Sequence, residues 1–186
     1  MKWLLLCALA GACGCTSTLG PSYAVIETSF GEITMKLHTK EAPRTCANFI
    51  DRADDLFYNG LHFFRVVKGM LIQTGCERND GTGGPKHGAP LETTPYKHVP
   101  GAVAMERKSD NVNDSHGSQF YIVTGTLPDR DGKFCVFGKV VKGMDVVKKI
   151  EGVEVEEVFI GPEPFHRPKE PVVVKRVTIH EGEPPK

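Results

Sequence analysis

Arg65 and Gln73 are the residues of this chain best placed to do chemistry. They lie in the stretch from Leu61 to Gly75, which holds two apolar runs, Phe63 to Val67 and Met70 to Ile72, split by Lys68-Gly69. Short apolar runs at a glycine break suggest two buried strands joined by a tight turn or a bulge. Arg65 sits inside the first run and Gln73 closes the second. Burying an unpaired charge is expensive, so a guanidinium among Phe, Val and Leu must find partners or face a cleft. An arginine and an amide on neighbouring strands, walled by apolar groups, make a site for a neutral polar ligand. Taken singly, each has a plainer reading: Arg65 as a salt-bridging strand residue, Gln73 as an amide satisfying a sheet edge.

The elements around this stretch read mainly as strands. Tyr23 to Thr28 and Glu32 to His38 form a strand pair about Ser29-Phe30-Gly31, with Ile33, Met35 and Leu37 alternating against polar neighbours. Pro43 suits the first turn of a helix, and Cys46, Phe49, Ile50 and Ala53 give that helix one apolar face. Cys76 to Pro100 is rich in Gly and Pro without periodicity, the mark of a functional or packed surface loop. It lacks the spacing of a phosphate-binding loop. Further strands are expected at Gly101 to Met105, Gly117 to Val123, Phe134 to Val141 and Val172 to Ile179, the last returning towards the first. Gly143 to Glu151 predicts a second helix presenting Met144, Val147 and Ile150, and Glu151 to Lys169, with three prolines, reads as a loop whose acidic start is a solvated face. About eight short strands with only two helices favour a mainly all-β chain, a closed antiparallel barrel, over a parallel sheet.

The 186 residues allow one domain with appendages, and 23 basic against 23 acidic side chains leave no bulk charge for nucleic acid. Met1-Lys2 followed by the apolar run Trp3 to Ala12 is too short to span a bilayer and has the pattern of an export signal. Ala10-Gly11-Ala12-Cys13 resembles a bacterial lipoprotein signal, which makes Cys13, or less well Cys15, the lipidated residue; a plain cleaved signal and a retained apolar N-terminus are the alternatives. The chain divides into a leader over 1–15, a tether over 16–22, a domain over 23–181 and a tail over 182–186. The expected location is the cell envelope, membrane-anchored and facing the periplasm or exterior. Cys46, Cys76 and Cys135 belong to the domain and read as buried or free thiols, with one disulfide left open. His62, His87, His98 and His116 lack ligand spacing, so no metal is expected.

The chain resembles the cyclophilins, the peptidyl-prolyl cis/trans isomerases, from about Tyr23 to Ile179. The likeness is carried by Ala42-Pro43-Arg44-Thr45-Cys46-Ala47-Asn48-Phe49, by Phe64-Arg65-Val66-Val67 through Gln73-Thr74-Gly75, by Gly81-Thr82-Gly83-Gly84, by Gly117-Ser118-Gln119-Phe120-Tyr121, and by Val136-Phe137-Gly138-Lys139-Val140. Each piece alone is weak; their order and spacing together are specific. The resemblance implies the barrel above, capped by the two α-helices, with a groove on its outer surface. It makes Arg65 the catalytic arginine and sets Gln73 against the substrate backbone. Met70, Leu71, Tyr121 and Phe134 become the proline pocket with Gln119 beside it, and Phe64 joins the substrate-binding set. The backbone at Glu106 and Arg107 pairs with the extended peptide. It implies proline-containing polypeptides as partners, no cofactor and a monomer.

The chemistry stands without the family. Rotation about an amide is opposed by roughly 18–20 kcal/mol of resonance. In the twisted state the prolyl nitrogen gains a localised lone pair, and a fixed donor aimed there stabilises that state above either planar isomer. An arginine remains charged at any working pH and carries several donors in a rigid fork. Some residues depart from the familiar pattern: Met70 replaces Phe, Glu106 replaces a small residue and bears on preference before the proline, and the excursion before Gly117 is longer. Asp129-Arg130 and Phe134 stand where many members carry Trp-Leu and His, so weak cyclosporin binding is expected. The competing readings are a proline-peptide binding module with little turnover, and a barrel holding an apolar molecule inside; the abundance of large apolar residues argues against the latter.

Overall fold

The computed structural model describes residues 22–85, 90–107, 114–159 and 164–185. The expected leader, its Cys13 and Cys15, the tether up to Pro21 and the centre of the excursion before Gly117 lie outside the described residues.

Among the described residues ten strands and two α-helices follow one another as β1 (Ser22–Thr28), β2 (Gly31–Leu37), α1 (Pro43–Asp54), β3 (Arg65–Val67), β4 (Leu71–Thr74), β5 (Ala102–Arg107), β6 (Ser115–Val123), β7 (Val136–Lys142), α2 (Met144–Glu151), β8 (Val155–Phe159), β9 (Pro164–Pro168) and β10 (Val174–Glu181). Eight of the strands form one antiparallel sheet in the order β10-β1-β2-β7-β5-β6-β4-β3. The expected closure is too strong a description. β3 has only three residues, and its ladder is with β4 alone, so the sheet ends at two edges, β3 and β10. The two edges meet through an isolated His62–Val173 bridge, with Phe63 N donating to Val172 O at 2.8 Å and Val174 N to Leu61 O at 2.7 Å. The result is a curled half-barrel stitched at its seam.

Side-chain alternation sorts this sheet into an inside and an outside. Inward lie Ile26, Met35, Val66, Ile72, Met105, Ile122 and an aromatic group in which Phe49 of α1 meets Tyr58, Phe120 and Phe137 at centroid distances of 5.2–5.4 Å. Phe120 is a core residue. A separate apolar layer of Leu71, Ala102, Ala104, Tyr121, Val123, Leu127 and Val136 lies on the outer face of β4, β5, β6 and β7. These strands are buried on both faces, which is why they read as near-continuous apolar runs.

Two connections gain roles that composition did not show. The Gly/Pro-rich segment supplies Glu92, whose carboxylate accepts from Arg44 N (3.1 Å), Thr45 N (2.7 Å) and Thr45 Oγ1 (2.7 Å). It caps α1 from far along the chain, at the end where free N–H groups and the helix dipole favour an anion. The segment from Glu151 to Lys169, expected as a loop, contains the β8–β9 ribbon. Pro164 and Pro168 misled the pattern because they occupy the two ends of β9, paired with Phe159 and Val155, where a missing N–H costs least. Glu154, Glu156 and Glu157 pair at the surface with Lys169, Arg167 and His166. Glu151 departs from the solvated expectation: it is buried, accepts from Gly69 N at 2.8 Å and pairs with Lys148 at 2.8 Å. The end of α2 thereby holds the β3–β4 turn.

Candidate active site

Strand register assembles the site. Arg65 pairs with Gln73, Gln73 with Tyr121, and Tyr121 with Ala104, so four residues from β3, β4, β6 and β5 stand in one row. Directly paired residues of an antiparallel sheet share a face. The row therefore lies on the outer surface, with Leu71 and Gln119 one step along on the same side. Between Met105 and Arg107 the β5–β6 register shifts, so that Glu106 faces four residues of β6, His116 to Gln119. Such irregularities re-aim side chains, and here the Glu106 carboxylate comes to stand beside Gln73. At the exit of β4, Gly75 has φ +88°, and a Cβ there would stand 2.2 Å from the Ser118 carbonyl oxygen. Only glycine lets the chain leave β4 this close to β6.

A chain of amides fixes the arginine. Arg65 Nη1 donates to Gln73 Oε1 at 3.2 Å; Gln73 Nε2 donates to Glu106 Oε2 at 3.2 Å and to Gln119 Oε1 at 3.1 Å. Gln119 Nε2 then donates to the carbonyls of Gly81 (3.0 Å) and Gly83 (2.9 Å), which gives the glycine-rich segment its part in the site. Gln73 and Gln119 are only 3% and 2% exposed and use all their amide groups in this chain. Gln73 thus stands behind Arg65 and orients it. Arg65 itself is half-buried. Burial lowers its pKa, Glu106 raises it, and the nearby Arg130 lowers it again.

The apolar part of the site is Leu71 and Tyr121, both fully buried, with Phe134 packed at their edge and Met70 exposed at the rim. Tyr121 and Phe134 meet edge-on with centroids 6.1 Å apart. Arg107 reaches the Lys133 carbonyl (3.1 Å) and lies over the Phe134 ring. Phe64 stands apart from this group. Its ring stacks on Phe165 of β9 at 5.7 Å, and both rings would touch a Cβ placed on Gly81. Phe64 therefore braces the loop that receives Gln119.

Two groups at this wall did not emerge as site residues from sequence. His98 is 1% exposed, stacks on Tyr121 and shares its Nδ1 with Asp131 Oδ1 at 3.0 Å. Burial lowers the His98 pKa, while the hydrogen bonds from His98 hold Asp131 down at about 2. Arg130, noted in the sequence only as a departure, places its Cζ 4.8 Å from the Tyr121 ring and 4.9 Å from the Phe134 ring. The one signal for it was Pro128 opening a single helical turn directly before it.

Cys76 Sγ accepts from Gly81 N and Gly83 N at 3.2 Å and so holds the loop that receives Gln119. Cys46, Cys76 and Cys135 are all buried and free, and burial pushes Cys46 up to about 12 and Cys135 to about 11. Among the described residues no group of His, Cys, Asp and Glu has the arrangement of a metal site. What the geometry offers is a fixed cation beside an apolar pocket.

Related proteins present the same framework. The family profile described as cyclophilin type peptidyl-prolyl cis-trans isomerase/CLD matches residues 23–179. A Helicobacter pylori peptidyl-prolyl cis-trans isomerase is 40% identical over 146 residues, covering 76% of this chain and 88% of that protein. Mouse peptidyl-prolyl cis-trans isomerase-like 3 is 35% identical over 160 residues, covering 83% and 94%. The crystal structure of a Cryptosporidium parvum cyclophilin type peptidyl-prolyl cis-trans isomerase, solved in the presence of the dipeptide Ala-Pro, superposes with a TM-score of 0.75 at 25% identity, over 86% of this chain and 99% of that one. With the profile spanning the whole sheet and both helices, this chain belongs to the cyclophilin-type peptidyl-prolyl cis-trans isomerase family.

Proposed function

We propose that this protein accelerates rotation about Xaa-Pro bonds in polypeptides of the cell envelope, with Arg65 as the catalytic residue. The observation that carries this reading is the half-buried Arg65 held by Gln73 in one strand row with Tyr121. An extended peptide lies along the groove, its proline ring against Leu71, Tyr121, Phe134 and Met70, and its backbone beside Glu106 and Arg107. As the carbonyl preceding the proline swings, the prolyl nitrogen loses conjugation and becomes an acceptor. Arg65 meets that lone pair with an N–H donor already oriented before the substrate twists. A preorganised donor that gains most in the transition state lowers the barrier without any bond being made or broken. No proton is transferred, so neither a general base nor a nucleophile enters the cycle.

Export and lipid attachment at Cys13 rest on the sequence of the leader, where a basic start, an apolar run and small residues precede the cysteine. The wider reading is an anchored isomerase that assists folding of envelope proteins and works as a monomer.

The test is exchange spectroscopy on an Ala-Pro peptide with the full chain and its Arg65→Ala variant. Removal of one preorganised donor is expected to cost on the order of 10²–10³ in kcat, while thermal unfolding of the variant stays cooperative. Equal rates for the two proteins would remove the arginine from the mechanism. Binding of the peptide with no acceleration by either would make the chain a proline-binding module.

A further inference from the structure

The isomerisation chemistry needs an apolar wall around the proline ring, and an aliphatic side chain would be enough. Here Arg130 supplies that wall, with its guanidinium lying over both Tyr121 and Phe134. Stacking occupies the faces of a guanidinium but leaves its N–H edges without acceptors. Nη1 of Arg130 and the neighbouring Tyr121 hydroxyl are both buried; they interact with one another, and neither has a well-formed hydrogen bond to any other group among the described residues. A buried donor on a cation is costly to leave unmade. The carboxylates alongside are already engaged: Asp131 accepts from His98 N and Nδ1 and pairs with Lys97, and Glu106 accepts from Arg107 N and Gln73 Nε2. The wall is therefore short of an acceptor.

Charge is distributed unevenly along the groove. Arg65, Arg107 and Arg130 border the apolar floor, and the Glu106 carboxylate stands beside Gln73. An acidic residue before the proline would lie along Glu106 and be repelled. An acidic residue after the proline would leave the pocket past Arg130.

We propose that Arg130 is a specificity-determining residue that selects Xaa-Pro segments whose proline is followed by an acidic residue, the incoming carboxylate accepting from the Arg130 guanidinium and the Tyr121 hydroxyl. The assignment rests on the groove being the isomerase site. A charge-assisted hydrogen bond of this kind gives a preference of about tenfold for glutamate over glutamine at low salt, falling as salt screens it.

The experiment compares blocked Ala-Pro-Glu, Ala-Pro-Gln and Ala-Pro-Lys peptides with the full chain. Exchange spectroscopy gives the rate and a shift titration gives Kd in the same sample. The expected order is Glu over Gln over Lys, with a Glu:Gln ratio near ten that shrinks at high salt. Arg130→Leu should bring that ratio to one, and Arg130→Lys should retain part of it. If Arg130→Leu does not fold, the wild-type ratio and Arg130→Lys decide the matter. A wild-type ratio within twofold of one, or an unchanged ratio in Arg130→Leu, overturns the proposal; the isomerase reading then stands as long as the Gln peptide is accelerated. If no peptide is accelerated, the isomerase reading falls, and the ratio of Kd values still decides for or against Arg130.

Discussion

Gln73→Leu isolates how much of the activity depends on holding Arg65 still. Leucine nearly matches glutamine in volume, so the change removes hydrogen bonds without opening a cavity. Three bonds disappear: from Arg65 at 3.2 Å, to Glu106 at 3.2 Å and to Gln119 at 3.1 Å. All three are at the long end of the usual range, so the lower end of the usual ~1 kcal/mol per neutral bond and ~1.5–3 kcal/mol per charged bond applies. Arg65 and Glu106 are half-buried and can recruit water, whereas Gln119 is 2% exposed and its Oε1 cannot. The expected loss of stability is about 2 kcal/mol, most of it from the orphaned Gln119 oxygen. Freed from its acceptor, Arg65 samples other rotamers, and kcat/KM for an Ala-Pro peptide should fall about tenfold, or ~1.4 kcal/mol of transition-state stabilisation. The assay is exchange spectroscopy beside urea unfolding, run on wild type, both single variants and the Arg65→Ala, Gln73→Leu double variant. In the double variant the second change should cost no further activity, because Gln73 acts through Arg65. A kcat/KM within twofold of wild type for Gln73→Leu, or a further tenfold loss on top of Arg65→Ala, refutes the positioning argument.

pH should affect stability and rate differently. The Arg65 charge persists across the working range, so kcat/KM should be flat between about pH 6 and 8, and a steep limb there would count against the arginine. His98 is lowered from the ordinary value of 6.5 by burial, and His38, stacked on Tyr96, shifts the same way. The unfolded chain takes up these protons first, so their contribution is full above 6.5 and declines as pH falls towards the folded values. Asp131 adds a second stage, present above 3.8 and lost as pH falls through about 2. Tm should fall in two stages on acidification, with His98→Gln shrinking the upper one; a Tm constant from about pH 7 down to pH 4.5 excludes the buried histidines as its cause. For the leader, cells fed a radiolabelled fatty acid should label the wild-type protein and not Cys13→Ser, and label persisting in that variant would move the anchor to Cys15 or elsewhere.

Much of this molecule could be read directly from its sequence. β1 and β2 declare themselves by alternation, α1 by Pro43 and the spacing of Cys46, Phe49, Ile50 and Ala53. Arg65 stands out because a lone cation in an apolar run has to be explained. Local periodicity determines such features, since each depends on residues a few positions apart. The sequence misjudged elements whose reasons lie far along the chain. β9 is a strand despite its prolines because β8 pairs with it, and Glu151 is buried because Gly69, 82 residues away, offers it an N–H.

By itself, then, the sequence determined the mainly-β class, the two helices, the family and the place of Arg65 as a lone cation in an apolar strand. Tertiary structure alone decided which face of β4 and β6 fills the barrel and which floors the groove, because both faces are apolar and only register distinguishes them. It also decided that Gln73 stands behind Arg65, that Phe64 braces a loop, and that Arg130 lies over Tyr121. These are contacts between strands and loops, set by the curl of a sheet that brings distant residues within hydrogen-bonding reach, and no spacing along the chain encodes that reach.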